Sequence, residues 1–157
     1  MPRDSPDSYR PISLTPHACK WFERIINSRL EHYLTKHNIL PNCQSGFRRY
    51  RSTTDNLVHL TEKFKHSLRR RNNVLYATFF DAHKAFDRLW HNKLLSKLAN
   101  IGISGRMYKI IKDFLSKRKM RVQQGQTLSD FVELDMGCPQ GAVLSPTLFF
   151  TDVVRYN

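Results

Sequence analysis

The chain has 157 residues, enough for one domain with a real core, and 40% of them are hydrophobic. Lys and Arg number 26 against 13 Asp and Glu, a net charge of +13 that suits a polyanionic partner, nucleic acid ahead of a membrane surface. Cys19, Cys43 and Cys138 are odd in number and far apart, which argues against a disulfide framework or a C-x-x-C zinc site, and no apolar run or leader marks a membrane or secreted protein; the chain reads as intracellular.

The first eight residues, MPRDSPDS, are polar and Pro-containing and read as a frayed end. A long helix follows, with Thr15 as cap and Pro16 in its first turn. Ala18, Trp21, Phe22, Ile25, Ile26, Leu30, Tyr33 and Leu34 give it one apolar face, and Pro41 forbids continuation beyond Leu40. Residues 41–52 read as a loop or short hairpin. Ser52 with Asp55 three residues on is a capping box for a second helix, which turns Leu57, Leu60, Phe64 and Leu68 inward and ends at Asn72-Asn73. Residues 74–80, VLYATFF, are continuously apolar and rich in strand formers, the pattern of a buried strand, and they run straight into Asp81. Two helices over about 91–99 and 105–116 are split by a turn at Gly102 to Gly105. Ser104 caps the second, whose inner face is Met107, Ile110, Ile111 and Phe114. Residues 119–124 and 130–135 alternate as two strands around Gly125. The loop MGCPQGAV and a short helix from Ser145 complete a mixed α+β chain without repeats.

Basic residues cluster at Arg48, Arg49 and Arg51, at Lys63, Lys65, Arg69, Arg70 and Arg71, and at Lys117, Arg118, Lys119 and Arg121. The bland reading of each cluster is a solvated face; the sharper one is contact with phosphates. Asp81 closes an apolar run, where a carboxylate can hold a hard cation at a sheet edge or cap the next turn. Asp87 lies six residues on. Residue types alone leave both readings of Asp81 open.

Four stretches narrow the choice: YRPISL at 9–14, QSGFRRYRSTTD at 44–55, FFDAHKAFDRLW at 79–90 and GCPQGAVLSPTL at 137–148. In this order and at these separations they resemble the successive sequence blocks of non-LTR (LINE-type, jockey-like) retrotransposon reverse transcriptases. Group II intron reverse transcriptases share the G-F-R and P-Q-G blocks, while R-P-I-S-L and K-A-F-D-R-L-W favour the LINE type.

The resemblance implies a fingers and partial palm fragment of a right-hand polymerase, with helices packed on a small, mainly antiparallel palm sheet. Fingers would span about 9–73 and an incomplete palm about 74–157. It implies RNA-directed DNA synthesis, with an RNA template, a DNA primer and deoxynucleoside triphosphates as partners, in nucleus or cytoplasm. It makes Asp81 a catalytic ligand of Mg2+, with Mn2+ as the substitute ion. It sets Phe86 as an aromatic gate against a ribose 2′-hydroxyl. It assigns Arg48, Arg49 and Arg51 to the triphosphate, which guanidinium forks suit. Gln140 and Gly141 fall beside the incoming nucleotide. Lys63, Arg69, Arg70, Lys117, Arg118 and Lys119 become candidate nucleic-acid contacts.

The sequence departs from the family in places. Arg49-Tyr50 stands where Pro-Gly is frequent, Cys138 where Val is usual and Ala142 where Ser is common. The aromatic-Ala-Asp-Asp block that supplies the other carboxylates does not occur in these 157 residues. The expectation is therefore that this polypeptide alone does not polymerise, and that residues 74–80, lacking the palm hairpin beside them, expose apolar surface and a free strand edge. A non-catalytic basic module, or a degenerate retroelement remnant, is the alternative.

Overall fold

The computed structural model describes residues 5, 8–69 and 74–153. Most of the expected frayed end and the Asn72-Asn73 helix stop lie outside the described residues, as do Arg70 and Arg71. The chain divides into two compact units, one built from Met1–Ile39 with Lys84–Asn157 and the other from Leu40–His83.

In the first unit, helix α1 spans His17–Lys36. Its buried stripe is Glu23, Ile26, Leu30 and Leu34, spaced by three and four residues. Trp21, Phe22 and Ile25 belong to the expected apolar face but are more than half exposed, so only part of that face packs within its own unit. Pro16, not Thr15, is the N-cap, and the Thr15 hydroxyl bonds nothing. Pro fits there because a helix start needs no N–H from it. Tyr33 donates its hydroxyl to the Ile101 carbonyl at 2.7 Å and ties α1 to the turn after the next helix of this unit.

The pair of helices expected near 91–116 forms as α3 (His91–Asn100) and α4 (Gly105–Leu115), with Ser104 as N-cap though without a side-chain bond; α2 belongs to the other unit. Leu94, Leu95 and Leu98 of α3 are buried together with Ile111 and Leu115 of α4. Met107, Ile110 and Phe114 are half-buried at the margin. Helix α5, Ser145–Val153, closes the core with Leu148 and packs on α3, where Asp152 receives Lys93 and Lys97.

The expected strand pair around Gly125 is broken into shorter pieces. Strand β1 (Arg118–Met120) pairs antiparallel with β4 (Val132–Leu134), and β2 (Gln123–Gln124) pairs with β3 (Thr127–Leu128). Gly125, at φ +61°, turns the hairpin, and Ser129 satisfies the Val122 amide between the two ladders.

In the second unit, helix α2 (Thr53–Leu68) starts where the capping box predicts. The Asp55 amide donates to the Ser52 hydroxyl, and the Ser52 amide donates to the Asp55 carboxylate. The inward face is a different matter. No residue of α2 is buried; Leu57 and Leu68 are exposed and Leu60 and Phe64 half-buried. Phe64 and Leu68 line an open apolar hollow of about 400 Å³ with Val74, Leu75 and Ala77.

Residues 74–80 correct the clearest sequence expectation: they form no strand and are exposed throughout, Phe80 at 93%. The composition suits a strand, but a strand exists only through a hydrogen-bonded neighbour, and among the described residues none is paired with this segment. The expected apolar exposure is present; the expected strand edge is not. The chain is α+β, with two separate two-stranded antiparallel ladders.

Candidate functional site: the Gln140 loop and the Asp81 segment

The loop from Met136 to Leu144 joins β4 to α5, and hydrogen bonds hold it at its entry, apex and exit. At its entry the Met136 and Gly137 carbonyls accept from the Arg118 guanidinium at 3.0 and 2.6 Å. The Gly137 carbonyl also lies 2.7 Å from His91 Nε2, and the Arg118 guanidinium lies 3.4 Å from the same nitrogen. The Gly137 amide donates to Leu89 and the Cys138 amide to Phe86, both at 2.8 Å. Gly137 sits at φ +80°, and a Cβ there would lie 2.7 Å from the Asp87 carbonyl oxygen, so glycine is required twice over.

At its apex, Gln140 donates its side-chain amide to Asp87 Oδ1 at 3.0 Å, and its carbonyl accepts from the Ser13 amide at 2.8 Å. Gly141, at φ +98°, passes 3.7 Å from Ile12 and Ser13 measured from where its Cβ would be. At its exit, Glu23 of α1 accepts from the Val143 and Leu144 amides at 2.6 and 3.2 Å. Ser145 donates to the Pro139 carbonyl.

Phe86 is half-buried with its ring 5.3 Å from that of Phe149, so it serves the packing here whatever else it does. Burial pushes the Cys138 thiol up to about 11, partly offset by the Ser145 hydroxyl and Arg118. It stays a thiol at neutral pH and fills space as the usual Val would. Burial also lowers the pKa of Arg118, with Cys138 opposing.

The other sequence-predicted residues lie in the second unit or on the hairpin. Asp81 is exposed, and its carboxylate makes no hydrogen bond or ion pair among the described residues, so it caps no turn there. Arg48 donates to the Pro41 and Gln44 carbonyls and Arg51 to that of Asn42. Arg49 stacks on Tyr50 at 4.8 Å. The three arginines thus brace the 41–51 turn. Tyr50, standing where the family often has glycine, takes φ +60°, a left-handed conformation that glycine adopts freely. Lys63 and Arg69 are exposed on α2. Lys117 is exposed at φ +52°, and Lys119 pairs with Glu133 across β1 and β4 at 2.9 Å. Arg118 differs from its neighbours: it is half-buried, and its guanidinium is turned onto loop carbonyls.

Among the described residues no group of three His, Cys, Asp or Glu side chains is arranged to hold a metal ion. Asp81 offers one free carboxylate. That fits Mg2+, which is commonly held by one or two carboxylates together with waters and substrate phosphates. Sequence reasoning missed Glu23, His91 and the bracing role of Arg118. Only Glu23 carried a signal: it is a charged residue standing three positions before Ile26 on the buried stripe.

Three of the four sequence blocks meet in this loop: 9–14 through Ser13, 79–90 through Phe86, Asp87 and Leu89, and 137–148 itself. The description of the reverse transcriptase (RNA-dependent DNA polymerase) family matches residues 1–153. The chain is 39% identical over 150 residues to the probable RNA-directed DNA polymerase from transposon BS of Drosophila melanogaster, covering 94% of this chain and 16% of that protein. It is 36% identical over 146 residues to the RNA-directed DNA polymerase from mobile element jockey of Drosophila funebris, covering 91% and 15%. A Pol polyprotein from the type-1 retrotransposable element R2 of Nasonia vitripennis is 28% identical over 92% of the chain. The chain thus spans about one-sixth of the length of the relatives it matches. With the family matched over residues 1–153 and three of its four blocks joined by hydrogen bonds at this loop, the chain belongs to the reverse transcriptases of non-LTR retrotransposons.

Proposed function

We propose that this chain forms the nucleotide-facing part of a magnesium-dependent RNA-directed DNA polymerase of right-hand architecture, with fingers at about 9–73 and palm from about 74. Its partners are an RNA template, a DNA primer and deoxynucleoside triphosphates. The observation that carries the reading is the meeting of three family blocks at the Gln140 loop, bonded through Ser13, Phe86, Asp87 and Leu89.

In this reading Asp81 is the carboxylate that would hold Mg2+ (or Mn2+). The ion, when bound, neutralises phosphate charge and favours the ionised form of the primer 3′-hydroxyl. Arg48, Arg49 and Arg51 lie along the triphosphate, where a guanidinium can release a turn carbonyl for a stronger, charge-assisted bond to phosphate. Phe86 offers a flat ring against the sugar, where a ribose 2′-hydroxyl finds no room. Gln140 and Gly141 meet the base side: glycine allows close backbone approach and the amide both donates and accepts. Lys63, Arg69, Arg70, Lys117 and Lys119 supply phosphate contacts along the template and primer, so binding weakens steeply with salt. Arg118 acts on the loop.

Titration of the chain with an RNA–DNA primer–template, then Mg2+ and dTTP, tests this reading through backbone amide shifts. Arg48, Gln140 and Gly141 should respond to dTTP only with Mg2+ present, and Asp81→Ala should abolish that response. Primer–template binding that ignores both Mg2+ and dTTP would leave only a basic nucleic-acid-binding module.

A further inference from the structure

The polar groups around the Gln140 loop divide into those that hold its backbone and one that holds its side chain. Glu23 is 4% exposed, and one oxygen of its carboxylate takes both the Val143 and Leu144 amides, 120 residues away in sequence. These amides stand just ahead of α5, where helical N–H groups lack partners within the helix and negative charge is favoured. Asp87 meets the other end of the problem. An ionised carboxylate only accepts, so it selects the NH2 end of the Gln140 amide and turns the oxygen Oε1 the other way.

We infer that Glu23 and Asp87 are positioning residues for Gln140: Glu23 fixes where the loop leaves for α5, and Asp87 fixes which end of the amide the loop presents. Gln140 then offers the nucleotide an acceptor oxygen and one spare N–H, with no freedom to exchange them. The inference concerns this chain's own geometry. Its bearing on nucleotide selection rests on the polymerase reading above.

The two roles separate by variant. In Glu23→Ala two buried amides lose their acceptor, whereas Glu23→Gln keeps a carbonyl oxygen without the charge. Asp87→Ala frees the Gln140 amide, whereas Asp87→Asn restores a bonding partner that both donates and accepts and so no longer dictates which end of the amide it takes. Amide exchange and the Gln140 side-chain NH2 resonances of the isotope-labelled 157-residue chain read both. Relative to Ile111 in α4, Val143 and Leu144 should exchange about tenfold faster in Glu23→Ala, with partial recovery in Glu23→Gln. The separation between the two Gln140 NH2 proton shifts should move to that of a free amide in Asp87→Ala and recover only in part in Asp87→Asn.

Should Glu23→Ala fail to fold, Glu23→Gln against the parent carries the same comparison at smaller amplitude. Unchanged NH2 resonances in Asp87→Ala would overturn the inference. So would acceleration of Val143, Leu144 and Ile111 by one common factor, which marks generic destabilisation. Adding Mg2+ and dTTP to the parent separates the two ideas: silence at Gln140 would sink the nucleotide reading and leave the positioning result standing.

Discussion

The unit formed by Met1–Ile39 and Lys84–Asn157 contains every buried apolar side chain among the described residues, from Ile26 to Leu148. Among the described residues the Leu40–His83 unit has one buried residue, Ser45, and its helix buries none. The first unit therefore holds the Gln140 loop with a packed core beneath it and a hydrogen bond at nearly every turn. The second carries Asp81 and the arginine cluster on local hydrogen bonds, a capping box and an open apolar hollow. Under the proposed function the loop would have its shape before a ligand arrives, while the Asp81 carboxylate and the three guanidinia would take theirs from ion and phosphate.

If that contrast is real, core truncation should separate the units. Leu98→Ala, at a fully buried site between α4 and α5, should cost about 3 kcal/mol in a denaturant melt, whereas Leu57→Ala on α2 should change stability by less than about 0.5 kcal/mol. Comparable losses at the two sites would break the comparison.

Next in size is the loop. Gly137→Ala combines a left-handed backbone with a collision against the Asp87 carbonyl, and should cost about 2 kcal/mol or more. Gly125→Ala meets open space at φ +61° and should cost about 1 kcal/mol, from backbone conformation alone. Thermal melts of the two variants side by side isolate the contribution of the close approach.

The second unit offers smaller handles. Ser52→Ala removes the cap of α2 and should lower helix stability by about 1 kcal/mol. The bonds from the Ser52 backbone and hydroxyl hold Asp55 below the ordinary carboxylate range. A depressed folded pKa means stabilisation present in full above the unfolded value and lost as pH falls through the folded one. Acidification below the ordinary carboxylate range should therefore fray the start of α2, visible in far-ultraviolet circular dichroism, and Ser52→Ala, which keeps the backbone bond to Asp55, should weaken that pH dependence without removing it. Smallest is Tyr50→Gly, which relieves a left-handed residue and should stabilise the 41–51 turn by up to about 1 kcal/mol, less what the more flexible unfolded chain takes back.

Local signals were readable in the residues and distant ones were not. Ser52 with Asp55, the α3–α4 pair around Gly102, the turn at Gly125 and the loop before Ser145 all rest on neighbours within a few positions, and all appear in the structure. Residues 74–80 misled because apolar composition records what a segment can pair with, and the pairing itself is decided elsewhere in the fold. Trp21, Phe22 and Ile25 misled for the same reason on α1. Arg118 looked like one more cation in a basic run; only the folded hairpin reveals that its guanidinium reaches Gly137, 19 residues on. Glu23 was visible as a misplaced charge, but its partners lie 120 residues away.

The claim that the Gln140 loop is fully formed without ligand while the Leu40–His83 unit is not is tested most directly by residue-resolved amide exchange of the whole chain. The comparison is between free protein and protein with primer–template, Mg2+ and dTTP. The account predicts strong protection of Leu89–Leu115 and Cys138–Leu148 in both states, with slowing on binding concentrated at Arg48–Arg51 and Asp81. Protection of residues 40–69 and 74–83 equal to that of α3 and α4 in the free protein, or slowing confined to the hairpin lysines, would contradict it.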